Sequence, residues 1–121
     1  MTLLSDAQEF RKAFFEGMEP SMAMQMRLIA EEANEVEEAV FNLYEEPMNN
    51  VHKAALLKEL ADLVYVCYQM AAAFDWDLDV AMKRVHTSNM SKLVDGRPIR
   101  RNDGKVLKPA TYIAPSVIDL V

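Results

Sequence analysis

Between Gly17 and Gly96 the chain contains no glycine and only two prolines, Pro20 and Pro47. Proline costs a helix interior about 3 kcal/mol and glycine about 1 kcal/mol. A run so free of both breakers is committed to helix, with its joints at the two prolines. Few β-branched runs compete, and nine methionines add to the helical bias. Ser5 with Gln8 fits a capping box, and Phe10, Ala13, Phe14 and Met18 follow at helical spacing, so a first helix ends near Gly17. Pro20 suits the first turn of a second helix running to about Glu46, where Pro47 stops it. Asn49 or Asn50 caps a third, from about Val51 to Phe74, and Asp75 or Asp77 a fourth, roughly Leu78 to Lys92. Beyond it, Asp95-Gly96, Asp103-Gly104, Pro98, Pro109 and Pro115 are turn chemistry, with a weak hairpin signal over residues 99–106.

The two long helices would each reach roughly 36–40 Å, and their connections are short, so neighbours must run antiparallel. The expected class is an all-α, antiparallel bundle of about four helices. A chain of 121 residues with 51% apolar content suits one such domain, helical over 5–92 with an irregular basic tail over 93–121. One cysteine excludes an intrachain disulfide, and the amino terminus lacks a basic-then-apolar leader. The longest apolar stretch, Leu63 to Phe74, is too short to span a bilayer. A cytoplasmic protein without a membrane partner is the expectation.

The net charge of −6 is unevenly spread. Residues 1–48 carry eleven acids against three bases, and residues 93–121 five bases against three acids. A basic nucleic-acid-binding face is therefore not expected. An acidic body with a basic tail suits metal ions at one end of a phosphate ligand and its oxygens at the other.

Helical phase locates the acids. With Leu28 as zero, Ala39, Leu43, Val36, Ile29 and Val40 fall at roughly 20–120°, the buried arc. Glu32 falls at roughly 40°, inside that arc, and Glu35 at roughly 340°, at its edge. Glu31 lies at roughly 300°, one step further out, and Glu37 is surface. On the third helix Val66, Met70, Leu63, Leu56 and Cys67 surround Glu59, and Asp62 flanks it at roughly 300°. Each core helix thus places a carboxylate where a leucine belongs. A buried, unpaired carboxylate is costly, and basic partners here reduce to Arg27, Lys53 and Lys58. Divalent cations resolve the conflict, unless the helices rotate and solvate these acids at the bundle's edge. The Glu-x-x-His pair of di-iron bundles is absent: Asn49 precedes His52 and Lys83 precedes His86 by three. Oxygen-only ligation favours Mg²⁺, with Mn²⁺ as a substitute.

Glu31-Glu32-Ala33-Asn34-Glu35 followed by Glu59-Leu60-Ala61-Asp62 resembles the ExxE…ExxD signature of the all-α nucleoside triphosphate pyrophosphohydrolases. That superfamily includes the MazG-like proteins, the dimeric dUTPases and phosphoribosyl-ATP pyrophosphohydrolase. The Asn89-to-Lys92 segment and Asp103-Gly104-Lys105 through Lys108-Pro109 resemble the helix end and tail of a MazG-like subgroup. The resemblance implies Mg²⁺ ligation by Glu31, Glu32, Glu35, Glu59 and Asp62. It implies nucleotide contacts by Asn89, Lys92, Lys105 or Lys108, and cleavage between the α- and β-phosphates. Only one unit is present, so the tandem MazG architecture is not matched. Glu32 or Glu35 is the expected general base. Lys92 also reads as a cation offsetting a helix dipole, the tail lysines as ordinary surface, and Asn89 as a helix C-cap.

The third helix is apolar beyond one stripe, with Leu57, Ala61, Val64, Tyr65 and Tyr68 opposite Glu59. Both sides need cover. The first and fourth helices would give it in a monomer; the preferred expectation is a homodimer that completes the four-helix core. The competing function is a non-enzymatic helical module that binds a partner or senses metal, and a third possibility is an enzyme whose substrate is a phosphoribosyl-nucleotide or another diphosphate-containing metabolite.

Overall fold

The computed structural model covers residues 1–121 and is all-α, with no strands. Four helices follow in order: α1 (Leu3–Phe15), α2 (Met22–Glu45), α3 (Asn50–Ala73) and α4 (Leu78–Met90). A single 3₁₀ turn, Ile118–Leu120, lies at the end of the tail. The chain divides into two compact units, Met1–Trp76 and Asp77–Val121.

The boundaries follow local chemistry. The first helix is capped by Thr2, not Ser5: Thr2 Oγ1 accepts from the Ser5 N–H at 3.0 Å, and Ser5 Oγ accepts from the Thr2 N–H at 2.8 Å. Serine at the third helical position thus does the returning half of the box that a glutamine was expected to do. Gly17, at φ 76°, turns the chain after α1. Ser21 caps α2 and leaves Pro20 just outside it. At the joint before α3, Asn49 Oδ1 accepts from the Val51 and His52 N–H groups, while its amide donates to Glu46 at 2.9 Å. Asp77 caps α4 by accepting from the Val80 N–H at 3.1 Å. That helix ends at Met90, two residues before the expected Lys92.

In the first unit, α1 and α2 both pack on α3. Glu46 meets His52 beside the α2–α3 joint, and Glu32 and Glu35 meet Glu59 and Asp62 farther along, so the pair is antiparallel. Phe10 against Tyr65 and Ala7 against Gln69 set α1 antiparallel to α3 as well. On α2 the covered stripe reads Gln25, Leu28, Glu32, Val36, Ala39, Leu43; on α3 it reads His52, Leu56, Glu59, Leu63, Val66, Met70. Steps of three and four residues make each a single helical stripe. Val40, expected on the buried arc, is 48% exposed, because this stripe is narrower than the arc. Ala7, Ala39 and Ala71 are buried. Their small side chains let the rods approach closely. Phe10 gathers Phe14 at 4.6 Å and Tyr65 edge-on at 5.6 Å.

The second unit is α4 with its tail. Ser88 Oγ donates to the Ile113 carbonyl at 2.6 Å, and the Ile113 N–H donates to Ser91 Oγ at 2.9 Å. Arg84 grips Asp119 through two hydrogen bonds, 2.6 and 3.0 Å, and donates to the Ser116 carbonyl. The hairpin expected over 99–106 is present as a single bridge, Arg100 with Val106, flanked by bonds from the Leu107 N–H to the Ile99 carbonyl and from the Arg101 N–H to the Lys105 carbonyl. The tail is irregular but tied down.

Candidate metal centre

Because both stripes carry acids at the same level, the antiparallel pairing brings four together. Carboxylate oxygens of Glu32, Glu35, Glu59 and Asp62 all lie within 4.8 Å of one another. Glu32, Glu59 and Asp62 are half-buried and Glu35 is exposed. Glu31 is exposed and lies outside this group. One helical step places it on the outer side of α2. Glu32 Oε2 and Glu59 Oε2 are shut from solvent without a hydrogen-bond partner.

Of the three basic candidates, only Lys58 reaches the cluster, 2.7 Å from Asp62 and 3.5 Å from Glu59. Its hydrogen bond to Asp62, and the charges of Asp62 and Glu59, hold the ammonium above the ordinary lysine range. Lys58 is itself 66% exposed, so it offsets the acids weakly. One exposed cation against four acids leaves a strong negative potential. Arg11, Gln25 and Gln69 also keep a buried side-chain atom without a partner, but only here do two such atoms belong to carboxylates converging in an all-oxygen donor set, which fits a hard divalent cation.

A cavity of about 360 Å³ adjoins the acids, lined by Glu35, Glu38, Asn42, His52, Lys58 and Glu59 among others. Asn42 and His52 were not among the residues expected at this site. Asn42 lies seven residues after Glu35, two turns along the same face, which was the available signal. His52 stands 3.7 Å from Glu46, whose carboxyl is held below its usual range by the Asn49 amide and by His52.

In the second unit, Lys92 and Lys108 place their ammoniums 5.7 and 5.2 Å from the centre of the Tyr112 ring. Lys105 is exposed and uses its backbone N–H on Asp103. Asn89 is exposed, and its carbonyl accepts the Lys92 N–H at 3.2 Å, a helix-end role. The structure therefore groups two of the four expected nucleotide contacts. Cys67, half-buried on α3, has its thiol pushed up by burial and reads as packing, not as a nucleophile.

An antiparallel pair of long helices with facing acid pairs defines an all-α protein built around an acidic centre. The chain matches the phosphoribosyl-ATP pyrophosphohydrolase family over residues 5–89 and belongs to it, within the MazG-like all-α pyrophosphohydrolase superfamily. It is a nucleotide pyrophosphohydrolase, a hydrolase of phosphorus-containing anhydrides, from a family typically dependent on divalent metal. The non-enzymatic alternative is set aside on that ground. The matched range holds every acid of the cluster and stops short of Lys92. No curated protein matches the chain. No helix is long and apolar enough to cross a membrane.

Proposed function

We propose that the protein hydrolyses a nucleoside triphosphate between its α- and β-phosphates, giving a monophosphate and pyrophosphate. Glu32, Glu35, Glu59 and Asp62 would hold Mg²⁺, with Mn²⁺ as a substitute. The observation that carries this reading is the pair of orphaned oxygens, on Glu32 and Glu59, inside a four-carboxylate cluster. When bound, the cation neutralises phosphate oxygens and lowers the pKa of water. The chain's own residues do the rest. Glu35, exposed and lining the cavity, is placed to accept the proton of an attacking water. Water oxygen bonds to the phosphorus as the anhydride bond breaks, and the electron pair leaves with pyrophosphate. Glu32, with one oxygen shut in, suits a ligand better than a base. Glu31, outside the cluster, is left without a ligand role.

Asn89, Lys92, Lys105 and Lys108 remain proposed phosphate contacts, with Lys92 and Lys108 favoured by their shared ring. A second copy of the chain is the proposed cover for α3. Leu57, Leu60 and Val64 are 69%, 44% and 46% exposed, beside an apolar cavity of about 380 Å³ that α1 leaves unfilled. A cytoplasmic setting is consistent with this role.

The test is a screen of canonical and modified NTPs and dNTPs with Mg²⁺ or Mn²⁺, resolving the phosphate products. Monophosphate and pyrophosphate in equal amounts are expected from the preferred substrate. Orthophosphate as the sole product would assign the wrong bond.

A further inference from the structure

Lys58 is the basic side chain that reaches the acidic cluster, and helix chemistry does not account for its place there. Its ammonium lies 2.7 Å from Asp62 and 3.5 Å from Glu59, both members of the four-carboxylate group. The Asp62 contact is an i,i+4 pair with the base on the amino-terminal side, the weaker of the two orders for supporting a helix. At 66% exposure the side chain has solvent to turn into, yet it folds back over two acids. What draws it is the cluster, where Glu32 and Glu59 each keep an orphaned oxygen. Arg27 and Lys53, exposed on the same two helices, lie within 4.0 Å of no carboxylate.

An ammonium so placed and a divalent cation ask for the same oxygens. Lysine carries a compact point charge on a flexible four-carbon stem, so it can hold such a place and leave it by rotation about its own bonds. Its root on α3, one residue before Glu59, keeps the charge beside the acids at any metal concentration. Its hold is incomplete, because the Glu32 and Glu59 oxygens stay unpaired with the lysine in position. A partial hold resists a doubly charged ion without barring it. The adjoining cavity, which Lys58 lines with Asn42 and His52, gives a displaced ammonium room to move.

We propose that Lys58 is a tethered stand-in for the divalent cation: it partly neutralises the acidic centre in metal-free protein, is displaced as metal binds, and so sets how tightly the centre takes metal. This rests on the metal reading given above. An exposed lysine–carboxylate contact is worth little by itself, so the effect on metal affinity is modest, on the order of 5-fold.

The experiment titrates the full chain with Mn²⁺ in nucleotide-free buffer at fixed pH and ionic strength, reading free Mn²⁺ by electron paramagnetic resonance. Lys58→Met, which keeps the stem and drops the charge, should bind Mn²⁺ about 5-fold more tightly than wild type. Lys58→Arg keeps the charge and should bind like wild type. Lys53→Met removes the same charge elsewhere on α3 and should change the affinity by less than about 2-fold. Melting gives a second readout: Lys58→Met should melt below wild type in EDTA and gain more than wild type from the same Mn²⁺ concentration. Unchanged or weaker Mn²⁺ binding in Lys58→Met would overturn the proposal. So would equal tightening in Lys53→Met, which would reduce the effect to net charge. Both results leave the metal centre itself standing. Failure of wild type and Lys58→Met alike to bind Mn²⁺ is a different outcome, which removes the metal reading and this proposal together.

Discussion

Replacing Glu59 with Gln removes one charge from the cluster and nothing else of its size, so its effect on stability is calculable. Carboxylates within 4.8 Å repel by about 0.9 kcal/mol each in bulk water and about 3.5 kcal/mol at an effective dielectric of 20. Glu59 faces three such neighbours, and its side chain is only 18% exposed, so the true value lies between those limits. Against this, the variant loses the attraction of Lys58 at 3.5 Å, a contact weakened by that lysine's exposure. The new amide can also donate to its acidic neighbours, easing the cost of about 1–3 kcal/mol that an unpaired buried group carries. The balance favours Glu59→Gln by on the order of 2 kcal/mol in metal-free buffer. For a chain of this length that is a rise in Tm on the order of 10 °C. Mg²⁺ should reverse the order. At a hundred times its Kd, a cation that binds only the folded wild type adds about 2.7 kcal/mol, and the variant should gain almost none of it. Calorimetric melting with EDTA and then with Mg²⁺ reads both halves. A variant that melts lower than wild type in EDTA, and gains as much from Mg²⁺, would refute the claim that these acids are mutually strained.

Four further outcomes follow. Glu35→Gln should lower kcat by roughly 10²–10⁴-fold, the usual worth of general base catalysis, measured as pyrophosphate release. The Arg84 hydrogen bonds hold the Asp119 carboxyl below the usual carboxylate range. Their contribution is therefore present above an unfolded pKa of about 3.9 and is lost as pH falls through the lowered value. Hydrogen exchange at the Asp77 N–H, which donates to the Leu120 carbonyl at 3.1 Å, should rise only in that acid window, and Asp119→Asn should show the rise at neutral pH. Thr2→Ala should cost about 1 kcal/mol through the lost cap, read as fraying of α1, whereas Gln8→Ala should leave that cap intact. Val64→Lys should shift sedimentation from dimer to monomer at micromolar concentration, and an already monomeric wild type would remove the proposed interface.

The fold was legible because its signals are periodic and local. The joint at Pro47 and the two long stripes lie where spacing placed them, and of the two candidates at each later cap the structure uses Asn49 and Asp77. Pro20, expected in the first turn of α2, stands just outside it. The cap of α1 was misread because threonine with serine forms the same reciprocal pair as the more familiar serine with glutamine. Phase alone placed Glu32 and Glu59 among apolar neighbours and set Glu31 one step further out than Glu35, yet it could not say how far around α2 the acidic centre would reach. That reach depends on which face of α2 meets α3, a tertiary fact. Tyr112 was invisible for a similar reason: its link to Lys92 runs through the Ser88 and Ser91 hydroxyls, across about twenty residues of irregular chain with no period to follow.

The account turns on a divalent cation seated among acids of α2 and α3. Crystals of the full chain soaked in Mn²⁺, with anomalous scattering collected at the manganese edge, test this without reference to turnover. A peak bounded by Glu32, Glu35, Glu59 and Asp62, absent in Glu59→Gln crystals, is the expected result. Saturating Mn²⁺ with no peak among those four carboxylates would contradict it.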